Sequence, residues 1–200
     1  MAWPGISTFA RQTQSLFDLV VEIIMSNSIE GLSILSLSEY RDHRGSFTRV
    51  FDVDWLNSSS EQPQQVNISR NQAKGTLRGM HYQLTGVPEH KLISILSGSI
   101  YLVVIDLRAD AVSYLKTVSV ELDSKDLKRV FVPAGCATGW MTLEDNTDVH
   151  YVMYARFEEC TYGGLRFDDP FFKLNWPLAP KVISNQDASW PDFNPNTIQS

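Results

Sequence analysis

From Leu32 onward the chain consists of short apolar or alternating runs separated by turn residues, and this pattern restricts the fold more than any other feature. Alternation over about four to eight residues is typical of strands with one buried face, and frequent turns are typical of an all-β domain. The run Ser99–Asp106 is apolar almost throughout, which predicts a central strand covered on both faces. The predicted strands are Ser33–Leu37, Ser46–Phe51, Gln65–Ser69, Thr76–Tyr82, Lys91–Ser97, Ser99–Asp106, Lys116–Glu121, Lys128–Val132, Trp140–Leu143 and Asp148–Tyr154.

These strands fit an all-β fold in which two sheets form a jelly-roll barrel with short peripheral helices. Turn residues such as Lys74-Gly75 and Ser97-Gly98 separate the strands at suitable places. The stretch that follows Asp168 is rich in Pro, Trp and Asn, and we expect it to wrap the domain as a loop or short helix. The interior of such a barrel can hold a ligand between inward-facing side chains.

The first 28 residues differ in composition from the rest of the chain. The apolar segment Leu16–Ile24 is interrupted by Asp18 and Glu22, so it is too short and too charged to span a bilayer. It also lacks the basic start and small-residue cleavage site of a signal peptide. We predict an N-terminal appendage over residues 1–28, either disordered, a short amphipathic helix or a misassigned start ahead of Met25, and one β domain over residues 29–200.

Composition excludes several classes of partner. A chain of 200 residues with a formal net charge of −6 and interspersed charges has no basic face for nucleic acid, and no membrane partner is expected. The two cysteines, Cys136 and Cys160, form no CxxC motif. Reduced thiols in a cytoplasmic protein are therefore the expected state.

One short stretch carries several side chains suited to acid–base chemistry. Arg78, His81 and Lys91 lie close together in sequence, and they could anchor an anion, remove a proton and stabilise the negative charge that results. A histidine within a strand can equally be a hydrogen-bonded structural group. Likewise, Tyr151 could fill the barrel as a packed aromatic ring or deliver a proton, and its sequence context leaves both interpretations open.

A metal centre is not predicted, although barrels of this kind can hold one. The chain has only four histidines, and they form no HxH pair. A transition metal usually requires three or four nitrogen, sulfur or carboxylate ligands, and no such set stands at a suitable spacing. We expect chemistry without a metal.

The sequence also resembles the deoxythymidine-diphosphate-4-dehydrorhamnose 3,5-epimerases, a family of cupin-like jelly rolls. The resemblance covers about Leu32 to Phe193, and its most specific part is Arg78-Gly79-Met80-His81-Tyr82-Gln83. The other matching segments, in chain order, are Asp42-His43-Arg44-Gly45-Ser46-Phe47, Asn67-Ile68-Ser69, Lys91, Gly98-Ser99, Val103-Val104-Ile105-Asp106-Leu107-Arg108, Val132-Pro133-Ala134-Gly135-Cys136-Ala137, Tyr151, Asp168-Asp169-Pro170, Trp176-Pro177 and Ser184-Asn185-Gln186-Asp187.

The resemblance implies an isomerase that acts on a nucleotide-linked 4-keto-6-deoxy sugar. In this scheme His81 removes the proton next to the ketone, and Asp187 holds the histidine tautomer. Lys91 stabilises the enolate, and Tyr151 returns a proton from the opposite face. The family is dimeric and uses no cofactor, so a homodimer is expected.

Several further residues are expected to contact the substrate. The resemblance assigns Arg44 and Arg78 to the diphosphate or sugar, because guanidinium groups match phosphate oxygens, and Asn67 to a polar contact. The pocket also includes Thr138, where the family usually has a histidine, and the adjacent Trp140. Arg49 occupies the position of a family glutamate near the nucleotide.

Two other positions depart from the family pattern. Phe157 lacks the hydroxyl of the usual aromatic residue, and Tyr162 stands where a glutamate is expected. These departures concern binding and leave the implied catalytic set intact, so they predict retained enolisation with altered recognition.

We therefore predict an epimerase that inverts C3, C5 or both, in deoxysugar or surface polysaccharide biosynthesis. Two alternatives stay open, namely a barrel that binds nucleotide sugars or glycans without catalysis and a sugar 3,4-ketoisomerase. The sequence does not identify the nucleotide base.

Overall fold

Two antiparallel sheets face each other, and a separate hairpin lies beside them. A computed structural model describes residues 22–25, 28–52 and 62–195. The larger sheet has the order β1-β2-β10-β7-β12-β5 and the smaller sheet β13-β6-β11-β8-β9, while β3 and β4 pair alone. The strands are β1 (Glu22–Met25), β2 (Ser33–Ser36), β3 (Glu39–Asp42), β4 (Gly45–Thr48), β5 (Gln65–Asn71), β6 (Leu77–Thr85), β7 (Lys91–Ser97), β8 (Ser99–Asp106), β9 (Thr117–Asp123), β10 (Lys128–Val132), β11 (Cys136–Thr142), β12 (Thr147–Met153) and β13 (Thr161–Gly164).

The main core lies between the two sheets. Ile93 of β7 and Val130 of β10 pack there against Leu102 and Val104 of β8, and all four are at most 1% exposed. Successive strand residues point to opposite faces, so the alternation in the sequence sends these side chains inward. The arrangement is the expected jelly-roll barrel.

A second core covers the outer face of the smaller sheet. Val103 and Ile105 of β8 point outward, and Phe172, Trp176 and Phe193 of the C-terminal segment pack against the cluster they form. The prediction that Ser99–Asp106 is a central strand covered on both faces is confirmed, and the segment after Asp168 wraps the domain as expected. A short helix, α1 (Asn185–Ala188), lies within this segment.

Some strand boundaries differ from the predicted ones. The predicted strand Trp140–Leu143 begins four residues earlier in the structure, as β11. Gly139 obscured this in the sequence, because glycine usually weakens a strand. Here an added Cβ at Gly139 would lie 2.5 Å from the Met80 sulfur, so glycine permits close approach of β6.

Three strands of the described residues were not predicted. They are β1, which pairs with β2, β3 of the hairpin, and β13, which pairs with β6. Strand β1 falls inside the segment predicted as an appendage, whereas residues 1–21 lie outside the described part of the chain. The division at residue 28 stays a prediction. Within the described residues, no helix has the length and apolar character needed to cross a membrane.

Candidate active site

A histidine–aspartate pair joins strand β6 to the short helix α1. His81 is on β6, and its Nε2 atom is 2.7 Å from Oδ1 of Asp187 in α1. The backbone N–H of Asp187 donates to Ser184 Oγ at 3.0 Å, so Ser184 caps the helix and fixes the aspartate. The pairing joins two residues 106 positions apart in the chain.

The surroundings of the pair favour the ionised form of Asp187. Burial opposes ionisation of Asp187, but hydrogen bonds from His81 and from the Gly79 backbone N–H outweigh it and lower the pKa of this carboxyl. An ionised carboxylate only accepts hydrogen bonds, so His81 Nε2 carries a hydrogen and Nδ1 is the nitrogen left to exchange a proton with a ligand. The His81 side chain is 44% exposed, while that of Asp187 is 6% exposed. The imidazole can therefore accept a proton from a ligand.

The structure requires a glycine at position 79, between Arg78 and Met80. Its φ is +103°, and an added Cβ would lie 2.6 Å from the carbonyl oxygen of Thr138. A side chain is excluded both by the backbone conformation and by the neighbouring strand. The glycine also brings its N–H to 3.1 Å from Asp187 Oδ2.

Tyr151 faces the same interior from the other sheet. It lies on β12, packs against the main core and has its ring centroid 6.0 Å from that of Trp140 on β11. Burial raises the pKa of Tyr151; the charge of Arg78 lowers it and the charge of Glu89 raises it further. The phenol is thus kept protonated, as a proton donor must be.

Lys91 forms an ion pair with a residue that the sequence had not singled out. Its Nζ atom lies 3.0 Å from Oε1 of Glu89, whose side chain is only 1% exposed. The other carboxylate oxygen of Glu89 accepts a short hydrogen bond from the Tyr162 hydroxyl. A buried carboxylate is tolerated when a cation and further donors satisfy it, and both are present here.

Arg78 also has an unpredicted partner. Its Nε donates to Oδ1 of Asn71 at 2.8 Å, and the Asn71 amide nitrogen donates to the carbonyls of Ser69 and Thr147, each at 3.0 Å. Asn71 thus holds the Nε atom of an exposed guanidinium, whose terminal nitrogens are suited to binding an anion.

The remaining predicted contacts divide into two groups. Thr138 is buried opposite His81 on the neighbouring strand, and Asn67 lies opposite Tyr151, with its Nδ2 3.1 Å from the Met153 sulfur. Thr138, Asn67 and Trp140 belong to the barrel interior that His81 and Tyr151 also face.

Arg44 and Arg49 form the second group, on and after the β3–β4 hairpin. The guanidinium of Arg44 is exposed and pairs with Asp42, which lowers the pKa of that carboxyl to about 2 through hydrogen bonds. Arg49 pairs with Asp52 at 2.6 Å. Both described ion pairs stay within this part of the chain.

Two other histidines have structural contacts. His90 Nδ1 accepts from the Ala134 N–H at 3.0 Å, and His150 Nδ1 lies 3.1 Å from Ser94 Oγ. In the described part of the chain, no three His, Cys, Asp or Glu side chains cluster as metal ligands.

Sequence reasoning missed Glu89, Asn71, Ser184 and the contact of Tyr162. The signal available for Glu89 was its position two residues before Lys91, which is uninformative until the turn geometry is known. Asn71 acts through Arg78, and one sequence carries no mark of that. Ser184 does have a signal, because the pattern Ser184-Asn185-Gln186-Asp187 is typical of a helix N-cap.

The fold and these side chains define a class of protein, a cupin-like jelly roll whose two sheets present acid–base groups to one interior. The family described as dTDP-4-dehydrorhamnose 3,5-epimerase matches residues 26–195 of this chain. A curated member from Sinorhizobium fredii is 34% identical over 171 residues, which is 84% of this chain and 88% of that protein. The chain belongs to the dTDP-4-dehydrorhamnose 3,5-epimerase family.

Solved structures agree with this assignment. The epimerase of Bacillus anthracis, with TDP and PPi bound, superposes with a TM-score of 0.79 at 27% identity and covers 86% of this chain and 99% of its own. The Legionella pneumophila dTDP-6-deoxy-D-glucose-3,5-epimerase, in complex with dTDP-4-keto-L-rhamnose, gives 0.77 at 30% identity and covers 84% and 90%.

Proposed function

We propose that this protein epimerises a nucleotide-diphosphate-linked 4-keto-6-deoxy sugar at C3 and C5, with the thymidine-linked sugar as substrate. The observation that carries the proposal is the His81–Asp187 pair in a member of this family, since the pair supplies an oriented base. The relatives named above bind TDP or a dTDP-4-keto sugar, which supports the choice of nucleotide.

The reaction begins with removal of a proton from the carbon next to the C4 ketone. His81 Nδ1 accepts that proton, the C–H electron pair forms a C–C double bond, and the ketone π electrons move to oxygen to give an enolate. Asp187 stabilises the imidazolium by accepting its Nε2–H. The Lys91 ammonium stabilises the enolate oxygen electrostatically, which lowers the barrier because the charge develops only in the transition state.

Inversion requires a proton from the opposite face. Tyr151 and His81 belong to different sheets and face a common interior, so a sugar ring between them would meet the base on one side and the phenol on the other. Tyr151 donates its proton to the carbon, the double bond returns to a ketone, and solvent restores both side chains. Arg78 is suited to the diphosphate, and Asn67 and Trp140 to the sugar.

We also infer a homodimer. Phe47 of the hairpin and Val66 and Ile68 of the edge strand β5 are large apolar side chains that are 61%, 63% and 47% exposed, and such exposed apolar surface is a candidate interface. A second copy of the chain would cover them and could bring Arg44 to the neighbouring pocket. Light scattering at micromolar concentration should give twice the mass of the 22.6 kDa chain, and a monomer would contradict the inference.

The test of the proposed function is proton NMR of the thymidine-linked 4-keto-6-deoxyglucose incubated with the protein in deuterium oxide. We expect loss of the H3 and H5 signals, because each epimerisation replaces a carbon-bound proton with one from solvent. Loss of one signal only would restrict the activity to one carbon. A displaced carbonyl would indicate a 3,4-ketoisomerase. Absence of exchange, with cytidine- and guanosine-linked ketosugars also inert, would overturn catalysis and favour a binding barrel.

A further inference from the structure

Glu89 lies between two groups that come from separate strands. Its Oε1 accepts from Lys91 Nζ at 3.0 Å, and its Oε2 accepts from the Tyr162 hydroxyl. Its backbone N–H donates to Oε1 of Gln83 at 2.9 Å, which fixes the turn between β6 and β7. Both oxygens and the backbone of this buried residue are therefore held in place.

We propose that Glu89 and Tyr162 are positioning residues that fix the direction of the Lys91 ammonium toward the substrate ketone. The inference rests on the proposed function, because it assigns a role to the group that would stabilise the enolate. Neither residue needs to touch the substrate. Both act through Lys91.

A lysine used for electrostatic catalysis needs such support. Its ammonium is strongly hydrated and stands on a flexible four-carbon chain, so its direction is poorly defined unless a partner holds it. Preorganised charge is effective because no reorganisation is required as the negative charge develops. Glu89 occupies one of the three N–H groups of Lys91, and the other two stay available to a ketone oxygen.

Tyr162 provides the second point of attachment. A carboxylate held by one ion pair can rotate about its side-chain bonds, whereas donors on both oxygens fix its plane. Strand β13 pairs with β6 and brings position 162 opposite Gln83, and the Tyr162 ring stacks on Phe157 with centroids 5.0 Å apart. Strand pairing and ring stacking therefore fix the Tyr162 hydroxyl independently of its bond to Glu89.

Glu89 also affects the proposed acid. Its charge raises the pKa of Tyr151, after burial as the main cause, while Arg78 acts in the opposite direction. The Glu89 carboxylate therefore supports both groups that act on the enolate. It orients the Lys91 ammonium, and its charge helps to keep Tyr151 protonated.

The test compares Tyr162→Phe and Glu89→Gln with a matched control, Tyr154→Phe. Tyr154 is a buried tyrosine whose hydroxyl has no hydrogen-bond partner among the described residues. Its ring packs with Leu35, Leu92 and Val152 and lies 6.1 Å from the ring of His90, the residue between Glu89 and Lys91. It therefore controls for loss of a tyrosine hydroxyl beside the same turn without loss of a bond to Glu89. We expect Tyr162→Phe to lower kcat about tenfold with KM within about twofold, as for loss of a hydrogen bond to a charged group. The control should retain kcat.

Glu89→Gln gives a second, pH-dependent readout. The amide keeps the shape of the side chain but removes its charge, so the pKa of Tyr151 should fall. The alkaline limb of the kcat–pH profile should then move to lower pH, in addition to a decrease in kcat of about tenfold or more. Wild-type kcat in both variants, or a change confined to KM, would overturn the inference.

A measurement that needs no turnover separates this inference from the proposed function. In protein labelled with ¹⁵N-lysine, the Lys91 ammonium should give a slowly exchanging proton signal, assigned by its absence in Lys91→Gln. We expect the signal to persist in Tyr154→Phe and to broaden in Tyr162→Phe. An unchanged signal in Tyr162→Phe would refute positioning even in an active enzyme. An inactive wild-type protein with the expected NMR change would instead refute the proposed function alone.

Discussion

Two buried aspartates in this molecule each accept hydrogen bonds from a backbone N–H and from a basic side chain, but the two basic side chains differ in their chemistry. Asp187 accepts from His81 and from a backbone N–H. Asp106, which is fully buried, accepts two bonds from the Arg108 guanidinium at 2.7 and 2.8 Å, one from the Arg108 backbone N–H and one from the Ser113 hydroxyl. In both cases hydrogen bonds outweigh burial and lower the pKa of the carboxyl.

The difference lies in the basic partner. A guanidinium keeps its protons, and Nη2 of Arg108 donates to the Glu30 carbonyl at 2.7 Å as well as to Asp106. The Asp106 cluster is therefore closed, in the sense that its basic group exchanges no proton, and it ties a loop to β8. An imidazole has a second nitrogen that can accept a proton, and His81 exposes it to the barrel interior. A buried, ionised carboxylate is thus no sign of catalysis by itself; the chemistry depends on what it orients.

The distinction between the Asp187 and Asp106 clusters requires that the exposed imidazole of His81 be essential for turnover. His81→Asn should lower kcat about 10³-fold or more, because general base catalysis is lost while the aspartate and the fold stay in place. The rate of deuterium incorporation at C3 and C5 measures the effect. Arg108→Gln is the counterpart in the closed cluster, and its folded protein should keep the wild-type rate. Equal losses in the two variants would contradict the distinction.

Removing the charge of the orienting carboxylate should have a smaller effect on the same reaction. In Asp187→Asn the amide can turn its nitrogen toward His81 Nε2, which favours the wrong tautomer and leaves an imidazolium unstabilised. We expect kcat to fall about 100-fold, with circular dichroism unchanged. A rate within threefold of wild type would show that Gly79 and Ser184 hold the site without the charge.

The sequence predicted the two-sheet architecture well, because strand alternation directly reflects which face is buried. It failed at β11, where the need for Gly139 arises from the Met80 side chain on another strand. It also gave no indication of β13, a short edge strand whose glycines accommodate neighbouring rings, such as Tyr82 at 2.7 Å from an added Cβ at Gly163. Such requirements depend on packing between elements and have no local signature.

The candidate site was predictable to the extent that its residues belong to a motif. His81 and Lys91 were suggested by their chemistry and spacing, whereas Asp187 came only from the resemblance, since it is 106 residues from its partner. Glu89 and Asn71 escaped notice because their roles follow from which side chain they meet after folding. The functions of the predicted site residues stay predictions, and the variants above test those of His81 and Asp187.

The smallest effect is expected in the closed cluster, and it concerns stability alone. Asp106→Asn should reduce the free energy of unfolding by about 2 kcal/mol at pH 7, because Arg108 loses its anion but is partly exposed to solvent. The pKa of Asp106 is lowered from 3.8 in the folded state, so the wild-type advantage is present above that pH and is lost as pH falls through the folded pKa. Urea unfolding at pH 7 and in acid should therefore show a gap between the two proteins that narrows in acid. A difference in unfolding free energy that stays constant with pH would mean that the shape of the Asp106 side chain, and not its charge, holds this loop. The two aspartates would then differ in more than their basic partners.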